Sequence, residues 1–253
     1  MPQLADLETV RTRLERDRRW SAFALADLDH PYAQHAHWFG PADGGAVVLV
    51  YTAFDPPIIF CLGEPAECEA ILQERAVCSR TTHAYVEARQ VLMPVVHRQF
   101  RAFDHHQMSR MVLHGQPRPT DRATAVVRLG PADLEAVRRL YSDEPPAFFL
   151  PEQLRHGVYF GVRDSGALAS IAGTHVVSTR GSVAAIGNVY TRRDCRGRGF
   201  AAEVTTAVAR ELRQMGIDTI VLNVAAANPC ARRVYERLGF IEYCVFHEGP
   251  ARR

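Results

Sequence analysis

Apolar residues recur at helical spacing from Leu4 to Trp20, gather into short β-rich runs at Ala46–Tyr51 and Pro57–Leu62, and return to helical spacing over Pro65–Arg75. This order predicts a helix, a strand pair and a second helix, with further strands at Tyr85–Leu92 and Arg110–Leu113. The pattern then breaks at Gly115-Gln116-Pro117-Arg118-Pro119-Thr120, where two prolines and a glycine disfavour helix and ladder alike. The expected division is therefore an accessory α/β domain at residues 1–115, a linker at 116–123 and a second domain at 124–253.

The second domain is more legible. A strand is expected at Thr124–Arg128, and Gly130-Pro131-Ala132-Asp133 opens a helix carrying Leu134, Val137 and Leu140. A short helix follows at Pro151–Arg155. Three strand-like segments come next, Val158–Val162, Ala167–Ser178 and Ser182–Tyr190, separated by turn residues and expected to form an antiparallel meander. Phe200, Val204, Ala207, Val208 and Leu212 mark one face of a long helix ending near Gly216. Strand Thr219–Val224, helix Pro229–Leu238 and strand Phe240–Phe246 complete the order, with Pro229 suited to a helix start and Gly239 to a helix stop.

Composition narrows the function. With 47% hydrophobic and 23% charged residues, the 253-residue chain is of ordinary globular type. Its longest apolar runs are far below the roughly 20 residues that span a bilayer, so no membrane partner is expected. Met1–Trp20 lacks the features of a secretory signal, which points to the cytoplasm. All thirty basic side chains are Arg, which excludes lysine Schiff-base chemistry, and the formal net charge of +2 gives no global attraction for nucleic acid. Six cysteines without C-x-x-C spacing read as free thiols in a reducing compartment. His35-x-His37 and His105-His106 lack a third ligand at a familiar interval, so no metal is expected.

The chemistry concentrates at Asn188-Val189-Tyr190-Thr191-Arg192-Arg193-Asp194-Cys195-Arg196-Gly197-Arg198-Gly199-Phe200-Ala201, where a strand gives way to the long helix. Unsatisfied N–H groups and the helix dipole make such a junction an anion site. Gly197 and Gly199 allow close backbone approach, and Arg196 and Arg198 could add charge-assisted contacts. A nucleotide P-loop needs a lysine that this chain lacks. A dinucleotide fingerprint needs a parallel unit, whereas this glycine pair follows a meander. A surface turn without ligand remains the competing reading.

The stretch Arg196-Gly197-Arg198-Gly199-Phe200-Ala201 resembles the phosphate-binding motif [QR]-x-x-G-x-[GA] of the GNAT superfamily of N-acetyltransferases. A second segment, Asn223-Val224 and then Asn228 to Phe240, is similar to that superfamily's N-x-x-A-x-x-x-Y-x-x-x-G-F helix, with Ala231 and Tyr235 in register. The resemblance covers residues from about 124 to the C-terminus. It implies a mixed, mainly antiparallel α/β (α+β) sheet flanked by helices. The first half is expected to be a smaller α/β domain, either a degenerate unit of the same fold that covers the acceptor cleft or mediates homodimer contacts, or a different accessory domain.

The resemblance further implies acetyl-CoA as donor and a small-molecule amine as acceptor. In that reading the main chain at Val189, Tyr190 and Thr191 meets the pantetheine arm, and backbone N–H groups from Gly197 through Ala202 hold the pyrophosphate. Asn223, Asn228, Ala231 and Tyr235 complete the cofactor groove. Val189 N–H would polarise the thioester carbonyl and Tyr235 would protonate the leaving sulfur. Each residue also has a structural reading: Asn228 as helix cap, Tyr235 as core. His175 is a candidate base or a structural histidine, and Glu144 and Glu152 could act through water. Glu144, Phe148, Phe149 and Asn188 are expected on the acceptor side, unless the two phenylalanines only pin their loop and Asn188 only satisfies a strand end. A noncatalytic acyl-CoA-binding regulator would use the same groove.

Overall fold

The computed structural model describes residues 4–120, 125–146 and 148–253. The chain separates into two compact units. The first comprises Met1–Arg110, Ala225–Ala227 and Tyr243–Arg253, and the second Met111–Val224 and Asn228–Glu242.

In the first unit the helices are α1 (Leu7–Leu14), α2 (Ala22–Ala26), α3 (Pro65–Leu72), α4 (Arg75–Cys78) and α5 (Met93–Gln99). Its strands are β1 (Ala36–Phe39), β2 (Val47–Tyr51), β3 (Ile58–Leu62), β4 (His83–Arg89) and β5 (Ala102–Phe103). β6 (His106–Leu113) runs on into the residues of the second unit. The expected helix from Leu4 to Trp20 is shorter and broken, because its backbone tightens into a 3-10 turn at Glu15–Asp17 before α2 begins. The strand expected at Tyr85–Leu92 stops at Arg89, where a 3-10 turn leads into α5 with Pro94 in its first turn.

The second unit holds strands β7 (Val126–Leu129), β8 (Tyr159–Asp164), β9 (Ala167–Ser178), β10 (Val183–Thr191) and β11 (Thr219–Ala225), the last of which ends at the unit boundary. Its helices are α6 (Leu134–Leu140), α7 (Gln153–His156), α8 (Phe200–Gln214) and α9 (Pro229–Leu238). The expected strand start at Thr124 lies outside the described residues. β7 through β10 form the antiparallel meander, and β11 joins β10 in parallel. α8 buries Phe200, Val204, Val208 and Leu212 against Ala169, Ala172 and Ile186, while α6 and α7 enclose a separate cluster of Leu129, Tyr159 and Ile171. β9 thus feeds two cores, and Ala169 and Ala172 share one of them although three positions apart, because Ala169 is an extra residue between the pairs Arg163↔Leu168 and Val162↔Ser170 and shifts the strand's alternation.

Two boundary features differ from expectation. The last strand, β12 (Phe240–Arg252), is longer than Phe240–Phe246 because Phe246–Arg252 finds an antiparallel partner in Arg89–His83 of β4. Arg118 of the expected linker, and Leu113 and Gly115 just before it, are bonded into the second unit. Arg213 donates to the carbonyls of Leu113 and Gly115 at 3.3 and 3.1 Å, and Arg118 N–H donates to Leu238 O at 3.0 Å. A long-range arginine clamp of this kind leaves no local sequence signal.

Gly173 tests the packing of the meander. A Cβ there would lie 2.0 Å from the buried Tyr159 ring, so Gly173→Ala is expected to destabilise the fold by about 1–3 kcal/mol, checked by urea unfolding.

Candidate active site

The site is built on two bulges in adjacent strands. Ala185 opposes Val176 and Ile186 opposes Thr174, so His175 is an extra residue on β9. Gly187 opposes Gly173 and Tyr190 opposes Ile171, so β10 gains an extra residue across Asn188–Val189. Asn188 sits at φ 53°, a left-handed conformation that Asn tolerates better than most residues.

A buried polar network fixes that conformation. Tyr141 OH donates to Asn188 O at 2.6 Å, and Asn188 Nδ2 donates to Gln153 Oε1 at 3.1 Å and Tyr159 OH at 2.9 Å. Tyr159 OH lies 3.0 Å from Thr174 O. Gln153 Nε2 in turn donates to the carbonyls of Phe148 and His175, both at 3.3 Å. Burial raises the Tyr141 phenol far above its ordinary range, so it stays a donor. The consequence lies one residue on. Among the described residues, Asn188 and Val189 have no partner in the β9 register, and the β11 ladder ends at Ile186↔Leu222 although both strands continue. Val189 is left on an open strand edge.

The anion site follows from the left-handed glycines. Gly197 and Gly199 have φ of 76° and 81°, which favour residues without Cβ. Gly199 is the N-cap of α8 and supplies no side-chain cap. Ala202 N–H bonds Gly199 O at 3.0 Å, whereas the N–H groups of Gly197, Gly199, Phe200 and Ala201 donate to no described residue. A Cβ added at Gly197 would meet nothing within 4 Å, so the space beside that residue is open. Four N–H groups without a described acceptor, at and just before the start of a 15-residue helix, suit a diphosphate. Ala202 itself is already engaged in the helix.

The arginines divide their work. Arg198 pairs with Asp164 at 2.9 Å and lies over the Phe200 ring, and the hydrogen bond from Arg198 holds the Asp164 carboxyl below its usual range. Arg196 donates to Thr191 O at 3.1 Å, stands 3.4 Å from Glu144 and covers the Tyr190 ring. Arg193 reaches the same Glu144 oxygen at 4.0 Å. Glu144 is thereby drawn to the glycine loop's arginines.

Other expected residues take clear places. The His175 ring occupies the space over Gly187, where an added Cβ would lie 1.9 Å from its Nε2. Phe149 packs on Tyr141 and Tyr159 with centroids 5.3 and 6.3 Å apart, which pins its loop to the core. Glu152 is exposed and paired with Arg155 at 3.4 Å. Asn223 lies on β11 just past its last pair with β10. Asn228 caps α9 by accepting from Ala231 N–H at 3.0 Å, which leaves its amide donors for a ligand. Thr191 bonds Ser170 Oγ at 2.8 Å. Tyr235 is buried beside Phe240, no described residue hydrogen-bonds its hydroxyl, and burial pushes its phenol up to about 12.

Tyr141, Gln153 and Tyr159 had no motif to expose them. Their role depends on contacts over 29 to 47 positions of sequence, for which single-sequence spacing carries no signal.

Residues 131–240 match the Acetyltransferase (GNAT) family, and this stretch is a GNAT acetyltransferase domain. The mycothiol acetyltransferase of Thermobispora bispora is 33% identical over 106 residues, covering 40% of this chain and 32% of that protein. The chain thus matches about a third of the length of the curated relatives. Among solved structures, a GCN5-related N-acetyltransferase from Kribbella flavida aligns with TM-score 0.68 at 17% identity, covering 92% of this chain and 94% of that one. A Drosophila protein aligns with TM-score 0.73 at 16% identity, covering 100% and 98%. These two likenesses concern the fold.

Replacing Asn188 by Ala removes both amide donors from the buried network and disfavours the left-handed bulge. The expected loss is about 1–3 kcal/mol in urea unfolding, with a larger fall in any activity than Gly173→Ala produces at matched stability.

Proposed function

We propose that the chain is an acetyl-CoA-dependent N-acetyltransferase in which a small-molecule primary amine attacks the thioester directly. The observation that carries this reading is the joint presence, in one unit, of outward N–H groups at Gly197–Ala201 and the unpaired edge at Val189. The first fits a diphosphate and the second an amide-bearing arm. Acetyl-CoA would supply the activated acyl group.

The protein's own groups supply the rest. Val189 N–H, fixed by the bulge, donates to the carbonyl oxygen as negative charge develops there, with little reorganisation. Tyr235, fully protonated at neutral pH, gives its proton to the departing sulfur and is later restored from solvent. His175 is favoured as the acceptor of the amine's proton, because its ring lies over Gly187, two residues before Val189. Glu152 is disfavoured by its exposed pairing with Arg155. Tyr190, Asn223, Asn228 and Ala231 flank the arm, and Arg196 is the motif arginine placed to exchange Glu144 for a phosphate. The relatives' name, mycothiol acetyltransferase, supports a small-molecule acceptor.

No helix among the described residues is long and apolar enough to cross a membrane, and the six cysteines are free, which suits the cytoplasm.

Calorimetry with CoA, followed by thiol release from acetyl-CoA across an amine panel, tests the reading. Binding with amine-stimulated release is expected. Absence of CoA binding by folded protein would refute the groove, and binding without release across the panel would leave a regulator.

Two variants sharpen the test. Tyr235→Phe should lower kcat about tenfold or more while CoA affinity changes less than twofold. Because the Tyr235 phenol titrates near 12, wild-type turnover should show no loss from its deprotonation between about pH 7 and 10. Gly197→Ala should weaken CoA binding by about 1–2 kcal/mol through backbone strain, since its Cβ has room.

A further inference from the structure

The first unit repeats the plan of the second. It runs α1, α2, β1, β2, β3, α3, β4, α5, with the four-residue α4 inserted between α3 and β4, and the second runs α6, α7, β8, β9, β10, α8, β11, α9. Strand sense repeats as well: β1, β2 and β3 pair antiparallel and β4 joins β3 in parallel, as β11 joins β10. Both parallel ladders end before their strands do. One stops at Phe60↔Glu87 although β3 runs on to Leu62 and β4 to Arg89, and the other at Ile186↔Leu222. Just past each end, an aromatic side chain that follows the unit's first helix donates to a main-chain carbonyl: Trp20 Nε1 to Cys61 O at 3.2 Å, and Tyr141 OH to Asn188 O at 2.6 Å. A helix-strand order recurs in many folds, whereas a splay and an aromatic donor at matching places call for a common plan.

The first unit departs from that plan where a donor would bind. Residues 192–199 join β10 to α8, whereas residues 63–64 alone join β3 to α3. Pro65 opens α3 and has no N–H to offer, Glu64 is the N-cap, and Glu67 lies in the first turn. Glu67 Oε2 accepts from Ala46 N–H at 2.9 Å. The positive end of the α3 dipole is therefore matched by the chain's own carboxylates, which repel a phosphate. Gly63, at φ 129°, has no open space beside it: a Cβ there would lie 2.6 Å from Ala46 Cα, where Gly197 has nothing within 4 Å. β3 also keeps an unshifted register with β2, from Val47↔Leu62 to Tyr51↔Ile58, so no bulge frees its edge as Asn188 frees Val189. Trp20, 0% exposed, packs on Phe60 of β3 with centroids 5.4 Å apart and has the Arg89 guanidinium of β4 at 5.8 Å from its ring, so the indole covers the splay.

We propose that the first unit is a second copy of the acyltransferase fold whose donor groove is closed by the chain itself, with Trp20 over the splay and Glu64, Pro65 and Glu67 at the helix start. This inference rests on the reading of the second unit as the acyl-CoA groove. It assigns the chain one donor and one reaction centre rather than two. The same strand splay then serves opposite ends in the two units: in the second it holds an edge open for an amide-bearing arm, and in the first it seats an indole whose burial stabilises the unit.

The test is calorimetry of the full chain with CoA, read for stoichiometry, together with amide hydrogen exchange with and without CoA, read for location. One CoA per chain is expected, with slowed exchange in peptides covering residues 196–202 and unchanged exchange in peptides covering residues 60–68. Gly197→Asp, which sets a carboxylate in the open loop at a φ that Asp tolerates, should weaken CoA by at least about tenfold and leave no tight site behind. Glu64→Gln, at the start of α3, should change CoA affinity by less than about twofold. Two CoA per chain, slowed exchange at residues 60–68, or wild-type affinity surviving in Gly197→Asp would each overturn this proposal while leaving an acyl-CoA protein. Absence of any CoA uptake by folded chain would overturn it together with the reading on which it rests.

Discussion

The hydrogen bonds that hold Asn188 in a left-handed bulge set the geometry on which the rest of the second unit's site depends. Among the described residues Asn188 is one of three non-glycine residues with positive φ, and it is the one whose side chain and carbonyl are both tied into a buried ring of Tyr141, Gln153 and Tyr159. Without that ring, β10 could relax into regular pairing with β9, and Val189 would spend its backbone groups on the ladder. The network therefore spends buried hydrogen bonds on keeping one strand edge unpaired. Its members come from the end of α6, from α7 and from β8, so packing of the α6–α7 cluster and shape of the site are physically linked.

The glycine loop obeys the same logic with backbone alone. Two left-handed glycines turn successive N–H groups outward at the start of α8, and the absence of a capping side chain leaves them available. The neighbouring arginines are not equivalent. Arg198 is held by Asp164 and Phe200, which makes it a brace for the loop, while Arg196 and Arg193 share Glu144 in exposed pairs that an anion can displace. Positive charge is thus divided between shaping the loop and meeting a ligand.

The first unit shows what a motif-free sequence hides. Residues 1–115 displayed alternating strands but no chemistry, because groups that meet there, such as Tyr85 and Glu248 bonded at 3.2 Å, stand 163 positions apart and only strand register brings them together. Likewise β12 carries Glu248 opposite Glu87 only because its second half pairs with β4, a partner more than 150 positions earlier. No local pattern distinguishes that pairing from a strand ending at Phe246.

Sequence alone determined the order of elements in the second unit, the glycine-loop helix start and the Asn228–Tyr235 helix, since each rests on local propensity: helical spacing, capping residues and φ freedom. Asn228 was legible as a cap before any partner was known, and it caps α9. Tertiary structure decided what those elements face. It placed His175 over Gly187, assigned Phe149 to the core, gave Arg198 to Asp164 and made Asn188 the centre of a buried network. The reason is physical: bulges, ion pairs and buried hydrogen bonds are chosen by which distant groups must share a small dry volume, and that choice is made only when the strands pair.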